Sequence, residues 1–244
     1  MRKEIQGLIL LCAMLNGCQH SEQRKALAET RLQLGLALML RNSLSAAALN
    51  LDEAERLSPG DYRVQLAQAR YAQLQGNTRL AEMRYRKLLK IAPFNGYVLN
   101  NYGAFLCRLG QYEAAQQQFT AALQSAQMGA RADSYDNAGY CYLKAQKLAL
   151  ARQAFAKAVK ADVNKGSLML AEASQRFNQG DFEQSRLLLD IYQRQAPATA
   201  ESLWLQIRFA ALAGRSRDVQ RYAVQLAQGF PQSLQYQQYL ANEY

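Results

Sequence analysis

The chain has 244 residues, and its 29 lysines and arginines outnumber its 19 aspartates and glutamates, which gives a formal net charge of +10 at pH 7. This length is enough to bury a large core in one or two domains. The positive charge suits nucleic acid, anionic lipid headgroups or an acidic partner, but the basic residues are scattered, as on an ordinary solvated surface. Beyond residue 15, no apolar run approaches membrane-spanning length.

The N-terminus resembles a bacterial lipoprotein signal. Residues 7–15 form a nine-residue apolar run, GLILLCAML, which is too short for a transmembrane helix but typical of a signal-peptide core. The run leads into LNGC, which resembles a lipobox ending at Cys18. We therefore expect residues 1–17 to be removed, Cys18 to carry a covalent lipid, and residues 18–27 to form a tether. The alternative is a buried hydrophobic helix with an ordinary cysteine.

A period of 34 residues organises the rest of the chain. The four prolines, Pro59, Pro93, Pro197 and Pro231, are 34, 104 and 34 residues apart, and 104 is three periods plus two residues. This period is typical of the tetratricopeptide repeat (TPR), a hairpin of two helices. With proline at position 32, six repeats cover residues 28–61, 62–95, 96–129, 132–165, 166–199 and 200–233.

Three further repeat positions agree with this register. Small residues occupy positions 8 and 20, and a bulky residue usually occupies position 24, as in Gly103, Ala115 and Phe119 of the third repeat. The sixth repeat fits worst, with Ile207 at position 8, as expected of a terminal unit. Because one hairpin cannot bury its apolar face alone, the sequence predicts an all-α, right-handed superhelix of six TPR hairpins. Residues 234–244 are predicted to form a C-terminal capping helix.

The sequence offers little for catalysis. The one histidine is His20, and the common nucleotide-binding, hydrolase and zinc motifs are missing. Asp133 and Asp136 lie at helical spacing at the start of the fourth repeat, where a helix dipole would stabilise them. Trp204 suits packing or a groove surface. We expect a protein that is not an enzyme, with no metal, no cofactor beyond the lipid, no small-molecule substrate and, in an exported chain, no nucleic acid.

Several segments resemble type IV pilus biogenesis lipoproteins of the PilW/PilF type. They are VLNNYGAFLCRLGQYEAA at 98–115, RLQLGLALM at 31–39, and ESLWLQIRFA and FPQSLQYQQYL near the C-terminus. The resemblance implies an outer-membrane lipoprotein on the periplasmic face. It also implies a pilotin, which binds secretin subunits and promotes their localisation and multimerisation. The alternative is a general periplasmic TPR lipoprotein that serves a tight-adherence pilus or peptidoglycan enzymes.

Cys12 is expected to be lost with residues 1–17, and Cys18 is expected to carry the lipid. Two other cysteines, Cys107 and Cys141, remain. An oxidising compartment permits them to pair, and they lie on the first helices of adjacent repeats. Bridge geometry requires Cα atoms within about 7 Å, which this placement allows without assuring it. The resemblance adds weight, since some family members carry cysteines at both places. The alternative is two small buried residues.

The first helices of TPR hairpins line the concave face at positions 2, 5, 9, 12 and 13. In the first repeat, four of these five positions are apolar, which predicts a groove for a partner segment. The alternative is that the tether or the hairpin itself covers them. The predicted groove residues are Leu32, Leu36, Met39, Leu40, Leu66, Arg70, Leu74, Tyr97 and Asn100.

Overall fold

The computed structural model describes residues 2–244, with side chains described from residue 21 onward. Within these residues the regular elements are thirteen α-helices and no strands. None of these helices is both long and apolar enough to cross a bilayer. The helices are α1 (Arg2–Leu40), α2 (Leu44–Leu57), α3 (Tyr62–Leu74), α4 (Thr78–Ile91), α5 (Gly96–Arg108), α6 (Tyr112–Leu123), α7 (Met128–Lys144), α8 (Leu148–Ala161), α9 (Asn164–Asn178), α10 (Phe182–Gln195), α11 (Ala200–Leu212), α12 (Ser216–Gly229) and α13 (Leu234–Leu240).

The helices group into two compact units, which divide between Tyr102 and Gly103 within α5. In the first unit α1 packs on α2 and α3 packs on α4. In the second unit α7 packs on α8, α9 on α10 and α11 on α12, and α13 packs on both helices of the last pair. These hairpins confirm the predicted all-α TPR fold, and α13 lies where the capping helix is predicted.

Close helix packing explains the small residues at position 8. A Cβ atom built on Gly35 would lie 2.6 Å from Leu51 Cδ2, and one on Gly139 would lie 2.6 Å from Phe155. Leu51 and Phe155, both at position 24, are fully buried. The side chain at position 24 therefore fills the space that the small residue at position 8 leaves free. A methyl group added at position 8 would overpack the core.

The residues that end the helices also recur at equivalent positions of the repeats. Gly76, Gly110, Gly180 and Gly214 all have positive φ angles, between 66° and 80°, and each lies in the turn within a hairpin. This left-handed conformation, which ends the first helix, favours glycine. Each proline lies two residues beyond the last residue of a second helix, where it cannot continue the helix.

Two boundaries differ from the sequence prediction. Residues 21–27, assigned to the tether, are helical and continuous with the first hairpin through α1. In addition, α7 begins at Met128 rather than at the repeat boundary, because the inserted Ala130 is helical and buried. Asp133 and Asp136 are therefore beyond the first turn of α7, so stabilisation by the helix dipole does not explain them.

Asp133 and Asp136 both form ion pairs with Lys165. Lys165 Nζ lies 2.6 Å from Asp133 Oδ1 and 3.4 Å from Asp136 Oδ2. The Lys165 side chain is only 13% exposed and the Asp136 side chain 17%. Burial raises the pKa of the Asp136 carboxyl above its usual range, against the lowering effect of Lys165. Lys165 thus neutralises two carboxylates that would otherwise repel each other.

We expect Lys165→Met to lower the free energy of unfolding at pH 7 by about 1–3 kcal/mol. This loss is smaller than the loss from breaking a fully buried ion pair, because Asp133 is partly exposed. The loss should shrink at pH 5. Without Lys165 its lowering effect is lost, so the pKa of Asp136 in the folded variant rises further above the unfolded value. Protonation at lower pH therefore favours folding of the variant more than folding of the wild-type protein. Denaturant unfolding at both pH values measures this, with Lys160→Met as the exposed control. An equal loss at both pH values would contradict the ion-pair account.

Candidate functional site

The first helices of repeats one and two, α1 and α3, pack side by side within the first unit. Glu29 Oε2 and Arg63 Nη1, both at position 2 of their repeats, form an ion pair at 2.8 Å. Arg63 also pairs with Asp61, the N-cap of α3, and this hydrogen bond raises the pKa of the guanidinium. Equivalent repeat positions on the two helices are therefore neighbours.

Three predicted groove residues are not available to a partner. Leu32 and Met39 are 2% and 7% exposed, and both belong to the core cluster that α1 forms with α2 and with α3. They lie seven residues apart, on the α1 stripe that faces its own hairpin. Asn100 is also buried, at 5% exposure. The prediction of an exposed groove is wrong for these three side chains, since the hairpin covers two of them, as the alternative held.

The other predicted residues retain accessible surface. Leu40 is 85% exposed and Leu74 is 48% exposed, and both occupy position 13. Arg70 is exposed and makes no ion pair within the described residues. Half-buried side chains complete this surface, which we call the helix-A patch. It consists of Leu36, Leu40, Leu66, Arg70, Leu74 and Tyr97.

The helix-A patch combines apolar surface with one free cation. A contiguous exposed apolar patch, unlike a single exposed leucine, normally marks a protein contact rather than a site of chemistry. Arg70 adds a guanidinium, which can bind a carboxylate through two parallel hydrogen bonds. The patch can therefore bind a segment with apolar side chains and an acidic group. Within the described residues, no group of three metal-binding side chains occurs.

A second groove lies in the second unit, and its lining includes Trp204, for which the sequence allows packing or a groove surface. Its volume is about 590 Å³, and its lining also includes Arg208 of α11 and Gln238 of α13. The Arg208 guanidinium lies 4.1 Å from the ring centroid of Phe177, and burial lowers its pKa. The same rule of positions 5 and 9, applied to the sixth repeat, would have identified Trp204 and Arg208.

The structure joins Cys107 and Cys141 by a disulfide. Their Cα atoms are 5.8 Å apart, within the usual range for a bridge. Both cysteines are buried, and the bond links α5 to α7 inside the second unit. Cys18, the predicted lipidation site, lies outside the residues whose side chains are described.

Sequence comparison identifies relatives along the whole chain. Residues 85–117 match the model of a tetratricopeptide repeat family. The type IV pilus assembly protein PilF of Pseudomonas aeruginosa PAO1 is 29% identical over 245 residues, which span 97% of each protein. An uncharacterized protein of Haemophilus influenzae is 32% identical over 158 residues, which span 64% of this chain and 88% of that protein.

Solved structures agree with the sequence relatives. The structure of Pseudomonas aeruginosa PilF matches with a TM-score of 0.60 and 30% identity, and the match covers 90% of this chain and 99% of PilF. The structure of PilW, a type IV pilus biogenesis factor, matches with a TM-score of 0.58 and 23% identity. The match covers 87% of this chain and 98% of PilW, and it supports the assignment of the fold. The chain belongs to the PilW/PilF family of tetratricopeptide-repeat proteins.

Proposed function

We propose that this protein is an assembly factor for type IV pili, which binds secretin subunits and promotes their localisation and multimerisation in the outer membrane. The observation that carries the proposal is the similarity to PilF over 97% of both chains, because PilF is named as a type IV pilus assembly protein. A match of this extent includes the hairpins that form the helix-A patch. The role requires binding rather than catalysis.

The helix-A patch is the proposed secretin-binding surface. Leu40 and Leu74 expose apolar area in the free protein, and burial of one such side chain contributes about 1.5–3 kcal/mol. A secretin segment that lies on α1 and α3, as an amphipathic helix or as an extended strand, would bury both leucines. An acidic residue in the same segment would pair with Arg70.

Deletion of the gene tests this function. We expect heat-stable secretin multimers, detected by immunoblot, to fall and the remaining secretin to leave the outer-membrane fraction. Expression of the intact protein should restore both. Unchanged multimers in the outer membrane would reject a role in secretin assembly and would favour a general periplasmic scaffold.

A lipid on Cys18 is the proposed anchor, with the body of the protein on the periplasmic face of the outer membrane. The lipobox-like LNGC supports this proposal. A triacylated cysteine carries more than one chain, and two or more chains give stable membrane attachment at about 0.8 kcal/mol per buried methylene. The anchor would hold the helix-A patch in the periplasm, where secretin subunits pass.

Cys18→Ser should abolish labelling with palmitate and leave the protein unprocessed or periplasmic, because serine lacks the thiol that accepts the diacylglyceryl group. The repeats begin at Ala28, so the variant should keep its helix content. Metabolic labelling, fractionation and circular dichroism measure these outcomes, with the unaltered protein as the control. Labelling at the wild-type level in Cys18→Ser would refute the anchor.

A further inference from the structure

The second helix of repeat two, α4, has an unusual distribution of charge. Its fourteen residues, TRLAEMRYRKLLKI, include five lysines and arginines but a single glutamate, Glu82. One of the cations, Arg84, is only partly exposed and pairs with Glu55 at 3.2 Å. The remaining four cations are exposed to solvent, and they are Arg79, Arg86, Lys87 and Lys90.

These exposed cations share one face of α4. Arg86 lies seven residues after Arg79, and Lys90 lies four residues after Arg86 and three after Lys87, which places the four cations along one side of the helix. With Met83 and Glu82 they line a shallow surface depression of about 470 Å³. We call this surface the α4 face.

Most of the positive charge on the α4 face is not neutralised. Arg86 Nη2 lies 2.8 Å from Glu82 Oε1, which forms the one ion pair of this face. Arg79, Lys87 and Lys90 form neither an ion pair nor a hydrogen bond within the described residues. Three cations are thus free to bind anions from outside the protein.

Exposed apolar side chains accompany these cations. Met83 is 60% exposed, Ile91 is 54% exposed, and Phe94, just beyond the end of α4, is 86% exposed. Leu49, at the same repeat position as Met83 in the first repeat, is 75% exposed. Cations mixed with exposed apolar side chains, including an aromatic ring, are typical of helices that lie on a membrane surface.

We propose that the α4 face binds an anionic phospholipid surface. The long, unpaired side chains can follow mobile phosphate groups, while Phe94 and Met83 enter the boundary between headgroups and acyl chains. An acidic protein partner is less favoured, because exposed methionine and phenylalanine gain more from lipid than from a solvated acidic surface. The proposal does not depend on secretin binding, and it supplies a second membrane attachment besides the lipid on Cys18.

Vesicle flotation of the full chain carrying Cys18→Ser tests the proposal, since this background removes the covalent lipid. The N-terminal segment is common to all variants, so differences between them report on the α4 face. Vesicles of phosphatidylcholine are compared with an equal mixture of phosphatidylcholine and phosphatidylglycerol. The test variant combines Arg79→Gln, Lys87→Gln and Lys90→Gln. The control removes the same charges from unpaired, exposed sites elsewhere, with Lys144→Gln, Lys160→Gln and Arg217→Gln.

We expect affinity for the anionic vesicles to fall on the order of 100-fold in the test variant and to stay near the starting level in the control. High salt should weaken binding of the unaltered face, because it screens exposed charges. Phe94→Ser should weaken binding to the anionic vesicles without removing its salt dependence. Equal affinity in the test and control variants, or equal flotation with both kinds of vesicle, would overturn the proposal. Binding of polyglutamate without binding of vesicles would also overturn it and would indicate an acidic protein partner.

Discussion

Leu40→Gln combined with Leu74→Gln should abolish heat-stable secretin multimers while the protein remains folded and anchored. The two leucines are exposed at equivalent positions of α1 and α3, so their replacement removes apolar contact area without opening a core cavity. Each buried leucine contributes about 1.5–3 kcal/mol, so losing both weakens binding by at least two orders of magnitude. Glutamine keeps side-chain length and helix propensity.

The matched control for this variant is Leu212→Gln. Leu212 occupies the same repeat position in the sixth repeat and is 57% exposed. Secretin multimers are measured by immunoblot in a deletion strain that expresses each variant, and circular dichroism checks the fold. Met39 is unsuitable for such a test because it is buried, and its replacement by a polar residue would disrupt the first hairpin. Normal multimers in the double variant would place the secretin site elsewhere.

Loss of the Cys107–Cys141 disulfide should lower the free energy of unfolding by about 3–4 kcal/mol. The bond closes a loop with a sequence separation of 34 residues, and a loop of this length restricts the unfolded chain by about that amount in the chain-entropy model. The bond also joins the first helices of adjacent repeats, α5 and α7. We therefore expect the third and fourth repeats to separate more easily when it is reduced.

Denaturant unfolding with and without a reducing agent measures this contribution. The reductant should destabilise the wild-type protein but should not affect a variant with Cys107→Ala and Cys141→Ala. The variant separates the effect of the bond from other actions of the reductant. Alkylation of the denatured, unreduced protein provides a second readout. Two free thiols at these positions would rule out the disulfide.

The repeat period predicts most of the fold because it is a local and recurrent signal. Gly139 and Phe155 are sixteen residues apart in one repeat, and their close contact follows from repeat positions 8 and 24. The turn glycines and the prolines after the second helices follow for the same reason. Each of these features depends on packing within one hairpin, which the sequence of that hairpin determines.

The candidate site was only partly predictable because exposure depends on neighbouring elements. Leu32 and Leu40 both appear as apolar residues at groove positions, yet Leu32 is 2% exposed and Leu40 is 85% exposed. The difference arises because Leu32 lies in the core cluster with residues of α2 and α3, whereas Leu40, the last residue of α1, lies outside that cluster. The ion pair between Lys165 of α9 and Asp133 of α7 does not follow from the repeat either, because the two residues are 32 positions apart and no periodic signal marks that contact.

Photocrosslinking in cells that assemble pili tests directly whether the helix-A patch binds secretin. A photoreactive amino acid replaces Leu74 in one strain and Leu212 in another, so that equivalent exposed positions of the second and sixth repeats are compared. If the helix-A patch binds secretin, a crosslink to secretin forms from position 74 and none forms from position 212. Crosslinks to secretin from position 212 alone, or from neither position while secretin multimers form normally, would contradict it.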